Sequence, residues 1–162
     1  MILTLDISTT QTGRCWGDPS TERPAGWGSL TPKSTTHRPS RIAFMLQGMT
    51  PFLDSPDLKR VIAEDLSVGS KAGGKGNMKA ITALAECRGV IQHQFWVKRG
   101  ITVEYANLST VKSACKPRGF KGLPTKADLR SLFSSMGMET KNEDESDAIA
   151  VWIATRSRRE PW

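Results

Sequence analysis

The chain has 162 residues, of which 38% are hydrophobic and 24% charged, and its formal net charge is +7. That length suits one domain with a real core, and no run approaches the ~20 apolar residues that a membrane-spanning helix needs. Three cysteines without ligand-like spacing, and only His37 and His93 as histidines, exclude a disulfide scaffold and a histidine-rich zinc site. Cys15, Cys87 and Cys115 are expected to be reduced, buried or half-buried thiols. The opening MILTLDIS lacks the basic n-region and the cleavage site of a signal peptide, so a soluble intracellular chain is expected.

Residues 2–7 alternate as a strand, 9–13 form a turn, and 14–18 resume a second strand. Residues 18–25 are loop by composition, and 26–32 read as a third strand, shortened or bulged by glycine. A helix starts at Ser40, with Arg38 and Pro39 leading into it. The stretch LKRVIAEDLSV, 58–68, is a strand ending in acids, with Val61 and Ala63 on one face and Ile62 and Glu64 on the other. No structure is expected of GSKAGGKG, 69–76. Asn77 then caps a helix to about Trp96, with Ile81, Leu84, Ala85, Val90 and Ile91 spaced for burial.

ITVEYA, 101–106, is a strand, LSTVKSAC, 108–115, a short helix, and KPRGFKGLP, 116–124, a basic loop. Thr125 with Asp128 three residues on predicts a capping box for a helix over 125–138. The final helix opens in KNEDESDAIAVWIA with Asn142 as its N-cap. Three strands, helix, strand, helix, strand and then helices predict a mixed α/β sheet covered on both faces. Ligands of such sheets gather beyond the strand ends.

The acids at the start of the final helix have an ordinary explanation, because carboxylates complement the positive end of a helix dipole. Asp144 and Asp147, at i and i+3, nevertheless share one helix face. Asp6 interrupts an apolar strand, where a lone buried carboxylate is costly unless paired or bound to a cation. Glu64, beside Asp65, closes the middle strand. Carboxylates converging without an obvious arginine partner would repel one another, and divalent cations relieve that repulsion. Such a cluster supports two-metal phosphodiester chemistry.

Charge is also unevenly spread. From Lys71 to Lys126 there are 11 Lys and Arg against Glu86 and Glu104, a balance of +9 that leaves −2 for the rest. A basic middle beside an acidic remainder points to a polyanion partner with a separate acidic site, or to a merely lysine-rich surface.

ILTLDISTTQTG, VIAEDLSVG, NMKAITALAECRGVIQ, EYANLSTVK and DESDAIAVWIA, in this order, resemble the RuvC family of Holliday junction resolvases. The resemblance spans nearly the whole chain and is weakest at 18–58. It implies a single nuclease domain over 1–162 with an RNase H-like fold and a mixed five-stranded sheet. The implied protein is a cytoplasmic homodimer, with the helix at 77–96 as its dimer element, that nicks opposing strands of a junction in pairs. Asp6, followed by Gly13, together with Glu64, Asp144 and Asp147, matches the acids that bind two Mg²⁺ ions per subunit, with Mn²⁺ able to substitute. Lys112 and Lys126 match basic residues near the scissile phosphate, Lys126 as a catalytic group. Lys71, Lys75, Lys79, Lys116, Arg118 and Lys121 join them as the implied DNA contacts.

Three departures from the family pattern stand out. Ile7 and Ser8 replace a Pro-Gly turn. Ser67 stands where the family carries an aromatic side chain that stacks at the junction crossover. The stretch KAGGKG lengthens the following loop with lysines and glycines. Backbone electrostatics would then replace stacking, which weakens sequence preference and widens the range of branched DNAs. These departures resemble a bacteriophage-type relative in an infected bacterial cell. The rivals are a RuvC-like RNA nuclease and a branched-DNA-binding module that does not cut. A sugar-kinase or actin-type ATPase would need two lobes and about twice this length.

Overall fold

Alternation in the first strand divides its side chains between two cores. The computed structural model describes residues 1–33, 37–65, 78–117, 119–156 and 158. Its sheet comprises β1 (Ile2–Ile7), β2 (Thr12–Gly17), β3 (Gly26–Leu30), β4 (Arg60–Glu64) and β5 (Val103–Ala106), in the order β3-β2-β1-β4-β5. The first three strands pair antiparallel, while β4 runs parallel to both β1 and β5. The helices are α1 (Arg38–Leu53), α2 (Met78–Arg99), α3 (Leu108–Ala114), α4 (Lys126–Ser135) and α5 (Glu143–Arg156).

Leu3, Leu5, Ile7, Val61 and Ala63 face one way and pack with Met49 and Phe52 of α1 and Cys87, Ile91 and Phe95 of α2. Ile2 and Ile62 face the other way, against Val111 of α3, Leu129 and Phe133 of α4, and the apolar length of α5. Both faces are therefore covered, as the element order predicts. Cys15, Cys87 and Cys115 are free and buried in these cores. Among the described residues no helix is long and apolar enough to cross a membrane.

Local chemistry sets most element ends. The capping box of α4 forms as predicted, with the Thr125 hydroxyl accepting from the Asp128 N–H and the Asp128 carboxylate accepting from the Thr125 N–H. Asn142 caps α5 by accepting from the Glu145 N–H at 3.0 Å. Ser8 closes the first hairpin, where its hydroxyl oxygen accepts from the N–H groups of Thr10 and Gln11.

Several predictions shift: α1 starts at Arg38 rather than Ser40, β5 starts at Val103 rather than Ile101, and α4 ends at Ser135 rather than Met138. The second strand begins at Thr12 rather than Arg14, because Gly13 pairs with Asp6 and extends the ladder. Helix α2 runs on to Arg99 and is closed by Gly100 at a positive φ of 64°. Its buried stripe is Ala83, Cys87, Ile91 and Phe95, so only Ile91 of the five expected residues is fully buried. Ala85 is exposed, because two residues turn it about 200° away from Ala83. Asn77, Ser67 and the 69–76 stretch lie outside the described residues.

Candidate active site

Strand register places the first two acids side by side. Leu5 pairs with Ala63 across the parallel β1–β4 ladder. The next residue of each strand, Asp6 and Glu64, therefore lies level with the other on the α5 face, near the C-terminal ends of the central strands.

Helix α5 delivers the second pair. The buried Thr4 hydroxyl donates to the Ala148 carbonyl at 2.8 Å and ties the helix to β1. Beside it, a Cβ on Gly13 would lie 1.8 Å from the Asp144 carbonyl oxygen, so only glycine lets the first turn of α5 rest on β2. That turn carries Asp144 and the buried Asp147 over Asp6. Glu145, also buried, accepts from the Lys141 N–H at 2.8 Å and the Ser29 hydroxyl at 3.0 Å. Its role is to hold the helix start, as the cap reading predicts.

Crowding shows in the electrostatics. Burial pushes Asp6 up to about 8, aided by the charges of Glu64, Asp147 and Asp144 and opposed by Lys126. Burial and the Asp147 charge push Glu64 up to about 7, against Lys126, Lys112 and Arg88. Asp144 is also raised by burial, an effect that its hydrogen bond with Asp6 counters. The Lys126 ammonium lies 2.9 Å from Glu143 Oε2 and 3.0 Å from Asp147 Oδ2. Partial burial opposes its charge, but these hydrogen bonds prevail and raise its pKa.

The donor set fits a hard divalent cation. It is made entirely of carboxylate oxygen, the neighbouring acids help to push Asp6 and Glu64 up, and Glu64 Oε2 is buried without a partner among the described residues. The side chains do not close into a coordination sphere. Among the described residues no group of three or more Asp, Glu, His or Cys is gathered closely enough to hold an ion. Lys126 already pairs with one of the acids, Asp147, at 3.0 Å.

The remaining basic residues divide. Lys112, half-buried on α3, lies close enough for its charge to reach Glu64. Lys79, Lys116 and Lys121 are exposed, and among the described residues no ion pair joins them to the acids. Lys71, Lys75 and Arg118 lie outside the described residues. Arg88, absent from the expected site, donates to the main-chain carbonyl of Glu64. An arginine within an ordinary helical pattern carries no signal of such a contact.

No protein-family model matches the sequence, and no curated protein matches it at a significant level. Among solved structures, Thermus thermophilus RuvC in complex with Holliday junction substrate is similar at a TM-score of 0.72 and 11% identity, over 95% of this chain and 92% of that chain. A second structure of Thermus thermophilus RuvC gives a TM-score of 0.70 and 13% identity, over 99% of each chain. At these identities the likeness is one of fold. The chain thus carries the RuvC type of RNase H-like α/β fold, built on a mixed five-stranded sheet with helices on both faces.

Proposed function

We propose that residues 1–162 form a single nuclease domain, a metal-dependent endodeoxyribonuclease that resolves Holliday junctions and other branched DNA by paired nicks. The observation that carries this reading is that Asp6 and Glu64 lie side by side beneath Asp144 and Asp147, in a fold shared with a RuvC bound to a Holliday junction. The four acids would hold two Mg²⁺ ions, or Mn²⁺ in their place. When bound, the metal supplies positive charge to the scissile phosphate and acidifies the attacking water.

The chain's own residues do the rest. Asp6 and Asp144 would bind the metal as carboxylates, any proton held at pH 7 passing to solvent. Lys126 leaves Asp147 and turns to the phosphate, where its ammonium meets developing negative charge. Lys112 adds a second positive charge beside Glu64. Lys71, Lys75, Lys79, Lys116, Arg118 and Lys121 contact backbone phosphates, so junction binding weakens steeply with salt. The protein acts as a homodimer of the bacteriophage type in the cytoplasm of a bacterial host.

The absence of a gathered ligand sphere among the described residues favours a second reading, a branched-DNA-binding module that does not cut. Incubation with Mg²⁺ and labelled four-way junction, fork, duplex and structured RNA separates the two. Symmetric nicking of the junction is expected. Binding without nicking would leave the second reading, and a preference for RNA would overturn both. Asp6→Asn should abolish nicking while sparing junction binding, and retained nicking would refute the proposed metal site.

A further inference from the structure

Arg88 stands outside the acidic cluster but grips its frame. It follows Cys87 on α2, and Cys87 is buried against the sheet, so the backbone of Arg88 is well anchored. From the face opposite α5, its guanidinium reaches the end of β4. Nη2 donates to the Glu64 carbonyl, and Nη1 lies 3.6 Å from Asp65 Oδ1. Its Cζ sits 5.1 Å from the ring centroid of Tyr105 on β5.

The side chain is 11% exposed, whereas the Asp65 carboxylate is 51% exposed. A half-exposed ion pair contributes only about 0–1 kcal/mol, too little to explain burying an arginine whose Nε lacks a partner among the described residues. The carbonyl bond and the ring contact, which both fix the strand end, account for the placement better. Glu64 Oε2 itself has no hydrogen-bond partner among the described residues, so the aim of this side chain depends on its backbone.

We propose that Arg88 is the positioning residue of Glu64, clamping the β4 carbonyl from the α2 side so that the carboxylate stays directed at the α5 face. This rests on the reading of Glu64 as a metal ligand. From the opposite face Arg88 touches neither substrate nor metal: it acts through the strand, and its positive charge also reaches the Glu64 carboxylate, a charge that Arg88→Lys keeps.

The test is calorimetric Mn²⁺ binding to Arg88→Met, Arg88→Lys, Glu64→Gln and the double variant Glu64→Gln with Arg88→Met, together with kcat and KM for junction nicking. Arg88→Met should weaken Mn²⁺ binding about 10-fold, the usual effect of losing support behind a ligand. It should also lower kcat while leaving KM unchanged. Arg88→Lys, which keeps the charge and one donor, should recover part of the loss. The double variant should bind no more weakly than Glu64→Gln alone, since both changes act through one group.

A merely structural arginine would lower Tm in every background yet leave Mn²⁺ affinity intact. Wild-type affinity in Arg88→Met beside a weakened Glu64→Gln would overturn the positioning role and spare the metal site. A full additional loss in the double variant would overturn it as well. Wild-type affinity in Glu64→Gln would remove the metal reading of Glu64, and the role of Arg88 with it. Should Arg88→Met fail to fold, Arg88→Lys decides by the same comparison, with a loss of about 3-fold that vanishes in the Glu64→Gln background.

Discussion

Asp6 and Glu64 bind protons in the folded chain at a pH where the unfolded chain has released them. Their pKa values of about 8 and about 7 stand above the ordinary values of 3.8 and 4.5. The folded state therefore holds more protons between about pH 4 and pH 8, and metal-free stability falls as pH rises through that window. Thermal melts at pH 5 and pH 8.5 should show the decline. Asp6→Asn, which cannot ionise, should raise Tm at pH 8.5 by about 4 °C and change it little at pH 5, given about 2–4 °C per kcal/mol for a domain of this size. Saturating Mn²⁺ should remove the wild-type decline.

Lys126 makes a second prediction at the same scale. Its ammonium already neutralises Asp147, so an incoming cation must displace it. Lys126→Met should tighten Mn²⁺ binding about 10-fold by calorimetry, the equivalent of ~1.4 kcal/mol. Lys112→Met removes a charge that reaches Glu64 without a bond, and should tighten it only about 2-fold. Equal effects would show that general charge, rather than displacement, governs the site. Among residues, Asp6 was legible because an acid in an apolar strand needs a partner. Arg88 was not, because a carbonyl acceptor on another element leaves no trace in sequence.

At the scale of elements, the contact between β2 and α5 decides whether the two halves of the site meet. Gly13→Ala would drive a methyl into the Asp144 carbonyl, and backbone on backbone cannot give way. Denaturant melts should show a loss of about 3 kcal/mol or more. Gly28→Ala on β3 meets open space and should stay within about 1 kcal/mol of wild type. Strand periodicity and capping chemistry made β1, β4 and α4 legible, since those signals are local. The phase of α2 was not, because its apolar residues wind around the helix and only docking on the sheet selects the buried stripe. Gly13 was readable only as a spacing, although a glycine inside a strand pattern can signal close backbone approach.

For the whole molecule, α2 keeps three large apolar side chains away from the core. Met78, Trp96 and Val97 are exposed, and Met78 and Trp96 lie about five turns apart on one line of the helix. That line fits the proposed two-fold interface, in which the same stripe would meet its copy. If the proposed dimer forms through this line, Trp96→Glu should leave a monomer in light scattering with an unchanged far-UV spectrum. It should also replace paired nicks by single ones, and an intact dimer would move the interface elsewhere.

The bond from Thr4 to Ala148 joins positions 144 apart in sequence. During synthesis β1 emerges early, while the helix that brings Asp144 and Asp147 over it emerges only after most of the chain. A chain ending before Glu143 has Asp6 and Glu64 without Asp144 and Asp147, so the proposed metal site forms only once α5 has docked on β1.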